Sequence, residues 1–118
     1  MSAPFDLQQR TKQFALRAIR LYVALPKSDM GSFLGKQMVK AGTSVGAHFA
    51  EASHSKSAAD FVSKCQGARQ EMQETLYWIE MIMDAGLVKE PRLRPLVSEG
   101  REILSILVTM TNKAKRRH

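Results

Sequence analysis

The chain has 118 residues, which is the length of one ordinary domain. Apolar residues make up 44% of the sequence and charged residues 25%, so the composition is that of a folded globular protein and excludes a disordered or fibrous chain. A formal charge of +7 favours attraction to polyanions but carries no information about fold.

The first predicted helix spans about residues 6–24, with Asp6 as its N-cap and Pro26 just beyond its end. Apolar residues recur at helical spacing and give it one apolar face. That face consists of Phe14, Ala15, Ala18, Ile19 and Tyr22. A short loop follows, in which Ser28 and Asp29 are expected as turn or cap residues.

The second and third helices are predicted at about residues 32–53 and 58–85. Ser57 is the expected N-cap of the third helix, and Gly86 is expected to end it. The core face of the second helix contains Leu34, Met38, Ala41, Val45, Phe49 and Ala52. The core face of the third contains Phe61, Cys65, Ala68, Met72, Leu76, Ile79 and Met83.

The fourth helix is predicted at about residues 94–112, with Pro91 in the preceding connection and a basic tail, 113–118, that frays. Its face contains Leu96, Gly100, Ile103, Leu104, Leu107 and Thr111. No segment alternates with the period of a strand. Short connections between long amphipathic helices favour antiparallel neighbours. We therefore predict an all-α fold, an antiparallel up-down-up-down four-helix bundle in one domain, 1–118.

The second helix carries a second line of small residues beside its core face. Glycine inside a helix costs about 1 kcal/mol relative to alanine, so three glycines on one side suggest the close approach of another backbone. The line contains Gly35, Val39, Gly42, Gly46 and Ala50. Either a neighbouring chain or an adjacent helix of the same bundle could approach it. We favour a neighbouring chain, in a closed symmetric oligomer, and add the outlying Tyr77, Trp78 and Met81 to that interface.

Basic residues concentrate toward both ends of the sequence. Residues 1–56 and 91–118 each carry a net charge of +5, whereas residues 57–90 carry −3. The candidate phosphate-binding residues are Arg10, Arg17, Arg20, Lys113, Lys115, Arg116 and Arg117. The alternative interpretation is that these charges form solvated helix faces, and that the basic C-terminus complements the helix dipole. Binding to RNA or DNA would be phosphate-dominated and salt-dependent.

No complete catalytic, metal or cofactor motif is present. Glu51 and His54 have the spacing of a di-iron ligand pair, but the second such pair that the site needs is missing. Ser44, His48 and Glu51 superficially resemble a hydrolytic triad without an oxyanion donor or a nucleophile turn. We expect no enzyme activity, no metal and no cofactor.

The single cysteine, Cys65, cannot form a disulfide within the chain, which suits a reducing compartment. No apolar run has the length of a signal peptide or of a membrane-spanning helix, which needs about 20 residues. We expect a cytoplasmic protein without membrane association.

Several segments together resemble one bacterial family of four-helix-bundle proteins. The most specific is Gly42-Thr-Ser-Val-Gly-Ala-His-Phe-Ala-Glu-Ala52, and others are Arg10-Thr-Lys-Gln-Phe-Ala-Leu-Arg17 and Glu74-Thr-Leu-Tyr-Trp-Ile-Glu80. The family includes proteins encoded in intervening sequences of large-subunit ribosomal RNA genes. The accessory variability determinant of diversity-generating retroelements is a relative. The similarity covers roughly residues 5–111, and His48 stands where relatives usually have asparagine.

The resemblance implies a ring-shaped homopentamer of antiparallel bundles in the bacterial cytosol, with a poorly defined function. Through the retroelement relative it also implies binding to nucleic acid and to a reverse transcriptase by a basic surface. The leading hypothesis is therefore a non-enzymatic oligomer that binds nucleic-acid phosphates. The alternative is a protein-interaction or assembly module with no nucleic-acid role.

Overall fold

The computed structural model describes residues 4–116, and for residues 4–6 it describes only the backbone. It contains four helices and, over those residues, no strand. The helices are α1 (Pro4–Ala24), α2 (Asp29–Ala52), α3 (Ala58–Asp84) and α4 (Glu90–Arg116). The predicted all-α class and the four helices are confirmed. Across the same residues, no helix combines the length and the hydropathy that crossing a bilayer requires.

Serine side chains cap the N-termini of α2 and α3, as predicted. The Ser28 hydroxyl accepts a hydrogen bond from the backbone N–H of Gly31 at 3.1 Å, and that of Ser57 accepts from Asp60 at 3.0 Å. Each serine satisfies one of the N–H groups that a helix start leaves without a partner. Because Ser28 is a cap, α2 begins at Asp29, three residues earlier than predicted.

Proline marks the starts of α1 and α4, and both helices begin earlier than predicted. α1 begins at Pro4, so Asp6 lies within the helix and is not its N-cap. α4 begins at Glu90, with Pro91 in its first turn and Pro95 inside the helix. The first turn needs no N–H donor, so Pro91 is tolerated there, and exposed Pro95 forgoes one backbone hydrogen bond.

Helices α3 and α4 end in different ways. Gly86 follows α3 with a φ of +73°, a left-handed conformation that glycine adopts at little cost, and the N–H of Leu87 returns to the carbonyl of Ile82 at 3.2 Å. α4 continues to Arg116 instead of fraying from residue 112, because the cations in its last turn favour the negative end of the helix dipole. Residues 117–118 of the predicted tail lie outside the described residues.

One apolar core runs between the four helices, and most of the predicted core positions contribute to it. Two predicted faces need correction. Ile19 is 38% exposed and lies on the surface of α1. The buried side of α3 includes Thr75 and Ile82, while Phe61, Leu76 and Met83 are half-buried. The largest fully buried side chains are Phe14, Phe49, Met38, Met72, Ile79, Ile82, Leu93, Ile103 and Leu107.

The contacts between helices fix which positions face each other. Along α2, Gly35, Gly42 and Gly46 approach Tyr22, Ala18 and Thr11 of α1 in turn. Residue numbers on α1 therefore fall as those on α2 rise. Between α2 and α3 the same opposite order holds, since Phe33 meets Trp78 and His48 meets Gly67. Gly100 of α4 lies against Phe14, Met72 and Leu76.

Candidate nucleic-acid interface

Arg10 is held by two carboxylates of α4. Its guanidinium donates to both oxygens of Glu99, from Nε at 3.0 Å and from Nη2 at 2.8 Å. Nη2 also donates to Glu102 at 2.6 Å. These hydrogen bonds raise the pKa of Arg10 above its usual value, with burial opposing them slightly. That Arg10 binds nucleic acid stays a prediction, and in the structure its charge joins α1 to α4.

We expect Arg10→Gln to lower the free energy of unfolding by about 1–2 kcal/mol, because a bidentate and partly buried guanidinium pair exceeds the usual surface pair. A urea titration followed by circular dichroism measures it. Arg94→Gln is the matched control, since Arg94 pairs with Glu90 one turn away on an exposed helix face and should cost only about 0.3–0.5 kcal/mol. If the two variants lose equal free energy of unfolding, Arg10 does not join α1 to α4 more strongly than an ordinary surface ion pair would.

Arg17 and Arg20 lie on α1, about two and three turns beyond Arg10 toward its C-terminus. Arg20 is exposed and Arg17 is half-buried. Neither has an ion-pair partner among the side chains described in residues 7–116. Both cations therefore remain available to an external anion.

Lys113, Lys115 and Arg116 form the last turn of α4 and are exposed. They too have no ion-pair partner within residues 7–116. Arg117, the seventh predicted residue, lies outside the described residues. Because α4 extends to Arg116, these cations lie on a helix.

The glycine line of α2 packs mainly within its own chain. A Cβ atom at Gly35 would overlap the ring of Tyr22, and one at Gly42 would lie 3.4 Å from the Cβ of Ala18. Both glycines are buried against α1, so their assignment to an interface between chains is corrected in favour of the alternative, an adjacent helix. Half-buried Val39 also packs against the core of its own chain.

The outer edge of the same line remains accessible in a shallow groove between α1 and α2. The groove has a volume of about 320 Å³, and Gly46 faces both it and Thr11. Half-buried Ala50 lies one turn further along α2. Small and polar uncharged residues dominate the lining, which includes Gln8, Ala15, Thr43 and Ala47. Because these side chains are small, they leave room for a second helix to approach this surface closely.

An aromatic patch covers α2 and α3 near the end where α2 begins. Tyr77 is 52% exposed, Met81 is 37% exposed, and Trp78 is half-buried between Tyr77 and Phe33. Its ring meets both neighbours edge-on, with centroids 5.0 Å from Tyr77 and 6.0 Å from Phe33. The predicted interface lacked two exposed residues of α2, Phe33, which is 52% exposed, and Met30, which precedes the predicted start of the helix.

The side chains considered as catalytic or metal-binding candidates make contacts within their own chain. The Ser44 hydroxyl donates to the Lys40 carbonyl at 2.8 Å and not to His48. The ring of His48 fills the space left by Gly67 and lies 3.7 Å from Glu71. Burial raises the pKa of the Cys65 thiol to about 11, which disfavours the nucleophilic thiolate. Within residues 4–116, no group of three His, Cys, Asp or Glu side chains is placed to hold a metal.

Comparison with known proteins adds a family and one solved structure. The profile of the 23S rRNA-intervening sequence protein family matches residues 4–109. A crystal structure from Bacteroides thetaiotaomicron, described as a protein with unknown function from the S23 ribosomal protein family, is similar at 28% identity and a TM-score of 0.84. The similarity covers 89% of this chain and 97% of that one. No curated protein matches.

Proposed function

Because the chain belongs to the 23S rRNA-intervening sequence protein family, we propose that it is a non-enzymatic protein that binds the phosphates of nucleic acid. One observation carries this proposal: solvent-accessible cations without ion-pair partners, among the described side chains, lie on α1 and on the last turn of α4. The principal residues are Arg17, Arg20, Lys113, Lys115 and Arg116. In contrast, Arg10 of the predicted set is partly buried and paired with Glu99 and Glu102.

The chemistry of these residues supports binding without sequence specificity. Cations that meet phosphates release condensed counterions, so affinity falls steeply as salt rises. Reading a sequence requires side chains that reach base edges in a groove. The predicted residues are arginines and lysines on two helix surfaces, and they suit contacts with the backbone of the nucleic acid.

Replacing Arg17 and Arg20 together with glutamine should weaken binding to mixed-sequence RNA uniformly across sequences. Each lost phosphate contact should also make the slope of log affinity against log salt shallower by roughly 0.7–0.9. Fluorescence anisotropy over a tenfold range of salt measures both effects.

Lys36→Gln with Lys40→Gln is the matched control, because it removes the same charge from exposed positions of α2. If both double variants lose affinity equally, net charge rather than the α1 surface attracts the RNA. Affinity that stays constant across the salt series, or no binding at low salt, contradicts the proposed function.

We further propose that the chain is an up-down-up-down bundle that assembles into a ring, as the family resemblance implies. The opposite residue order between α1 and α2, and between α2 and α3, supports the topology. The exposed aromatic patch and the groove beside Gly46 are the surfaces that assembly would cover. These two surfaces also favour the alternative function, a protein-assembly module whose cations serve only solubility. A buried, unreactive thiol fits a cytoplasmic location.

A further inference from the structure

The free cations of the proposed binding surface fall into two separate clusters. Arg17 and Arg20 form the α1 cluster, and Lys113, Lys115 and Arg116 form the α4 cluster. Phe14 lies against Gly100, so these two positions stand at the same height along the bundle. Arg20 lies six residues after Phe14 on α1, and Lys113 lies 13 residues after Gly100 on α4. Because the two helices are antiparallel, these displacements along the bundle axis point in opposite directions. At about 1.5 Å per residue, Arg20 and Lys113 are roughly 28 Å apart along the axis.

Where α1 meets α4 between the clusters, the arginine that the structure places there is already paired with acids. Arg10 lies there, but its guanidinium is shared by Glu99 and Glu102, and the three groups together carry a net charge of −1. Glu102 is the more exposed of the two acids and would repel a phosphate passing over it. A ligand that uses both clusters must therefore span this stretch without support from Arg10.

Exposed aromatic rings are absent from the clusters themselves and lie elsewhere in the described structure. Phe33 and Tyr77 are half-exposed, and they belong to α2 and α3. Proteins that bind single strands usually place aromatic rings beside the cations, so that unpaired bases stack while phosphates are held. Double-stranded nucleic acid keeps its bases stacked internally and presents phosphates along a stiff rod with a persistence length of about 50 nm.

From this geometry we propose that the ligand is a double-stranded nucleic acid lying along the α1–α4 surface and touching both clusters at once. The inference rests on the proposed function and adds the class of nucleic acid. With about 3.4 Å between successive phosphates along each strand, a 28 Å span corresponds to roughly eight base pairs. A duplex of that length or longer bridges the clusters, and a shorter one reaches only one of them.

The test compares fluorescein-labelled DNA in three forms at fixed low salt. They are a 12-base-pair duplex, a six-base-pair duplex, and a 12-nucleotide pyrimidine strand that cannot pair with itself. The long duplex should bind at least tenfold more tightly than either of the others. Lys113→Gln with Arg116→Gln should weaken binding of all three forms, and it should lower the affinity of the long duplex to that of the six-base-pair duplex. Circular dichroism confirms that the variant stays helical.

The outcomes separate this inference from the function on which it rests. Equal or tighter binding of the single strand overturns the duplex assignment while phosphate binding stands. Equal binding of the short and long duplexes overturns the bridging of two clusters. No binding of any of the three overturns the proposed function itself, and this inference with it.

Discussion

Gly31→Ala is expected to lower the free energy of unfolding by about 2–3 kcal/mol, an effect typical of forcing an atom into filled space. A Cβ atom at Gly31 would overlap the carbonyl oxygen of Pro26. That oxygen belongs to the short connection between α1 and α2 and accepts the N–H of Ser28 at 2.9 Å. Since Ser28 caps α2 through Gly31, backbone movement there disturbs the cap as well.

Gly42→Ala is the matched control, because it adds the same methyl group to the same helix. Its Cβ would lie 3.4 Å from Ala18 and 3.5 Å from Thr75, which is ordinary contact. Alanine gains up to about 1 kcal/mol over glycine in a helix interior, so this variant should be as stable as the wild type or more stable. Urea titrations of both variants measure the difference. If the two variants are equally stable, the backbone around Pro26 moves away from the added methyl group at little cost in free energy.

Helix positions could be predicted from the sequence because local signals specify them. Apolar periodicity marks the four helices, and Ser57 and Gly86 mark the ends of α3 by capping chemistry. The boundary errors occurred where local rules permit two solutions. Pro95 can begin a helix or occupy its exposed side, and cations after residue 112 can fray or can stabilise a C-terminal turn.

The surfaces were harder to predict, because a surface residue's partner is a property of tertiary structure. The small residues at Gly35 and Gly42 indicate that another backbone comes close, but they carry no information on whether it belongs to the same chain. Likewise Arg10 and Arg20 are both arginines on α1, at positions that composition cannot distinguish. Glu99 lies 89 residues from Arg10 in sequence, so only the packing of α4 against α1 separates the paired arginine from the free one.

Phe33→Ser combined with Tyr77→Ser should dissociate the proposed assembly into protomers of 13.2 kDa while leaving the helices intact. Both rings are 52% exposed, and they flank Trp78 on the two helices of the aromatic patch. Large apolar side chains exposed together are the usual sign of an interface, and aromatic rings supply much of the energy of such surfaces. Because neither residue belongs to the buried core, the substitutions should weaken association between chains and leave the folding of each chain intact.

Light scattering gives the mass of each variant, and circular dichroism gives its helix content. Val23→Ser is the matched control, since Val23 is 63% exposed and belongs to α1 rather than to the patch. The patch is assigned correctly if the control keeps the wild-type mass and the double variant does not. Dissociation of both variants would show that exposed apolar surface in general, and not this patch, holds the chains together. A wild-type mass of one protomer at micromolar concentration would contradict the assembly itself, and the aromatic patch would then have to meet a different protein.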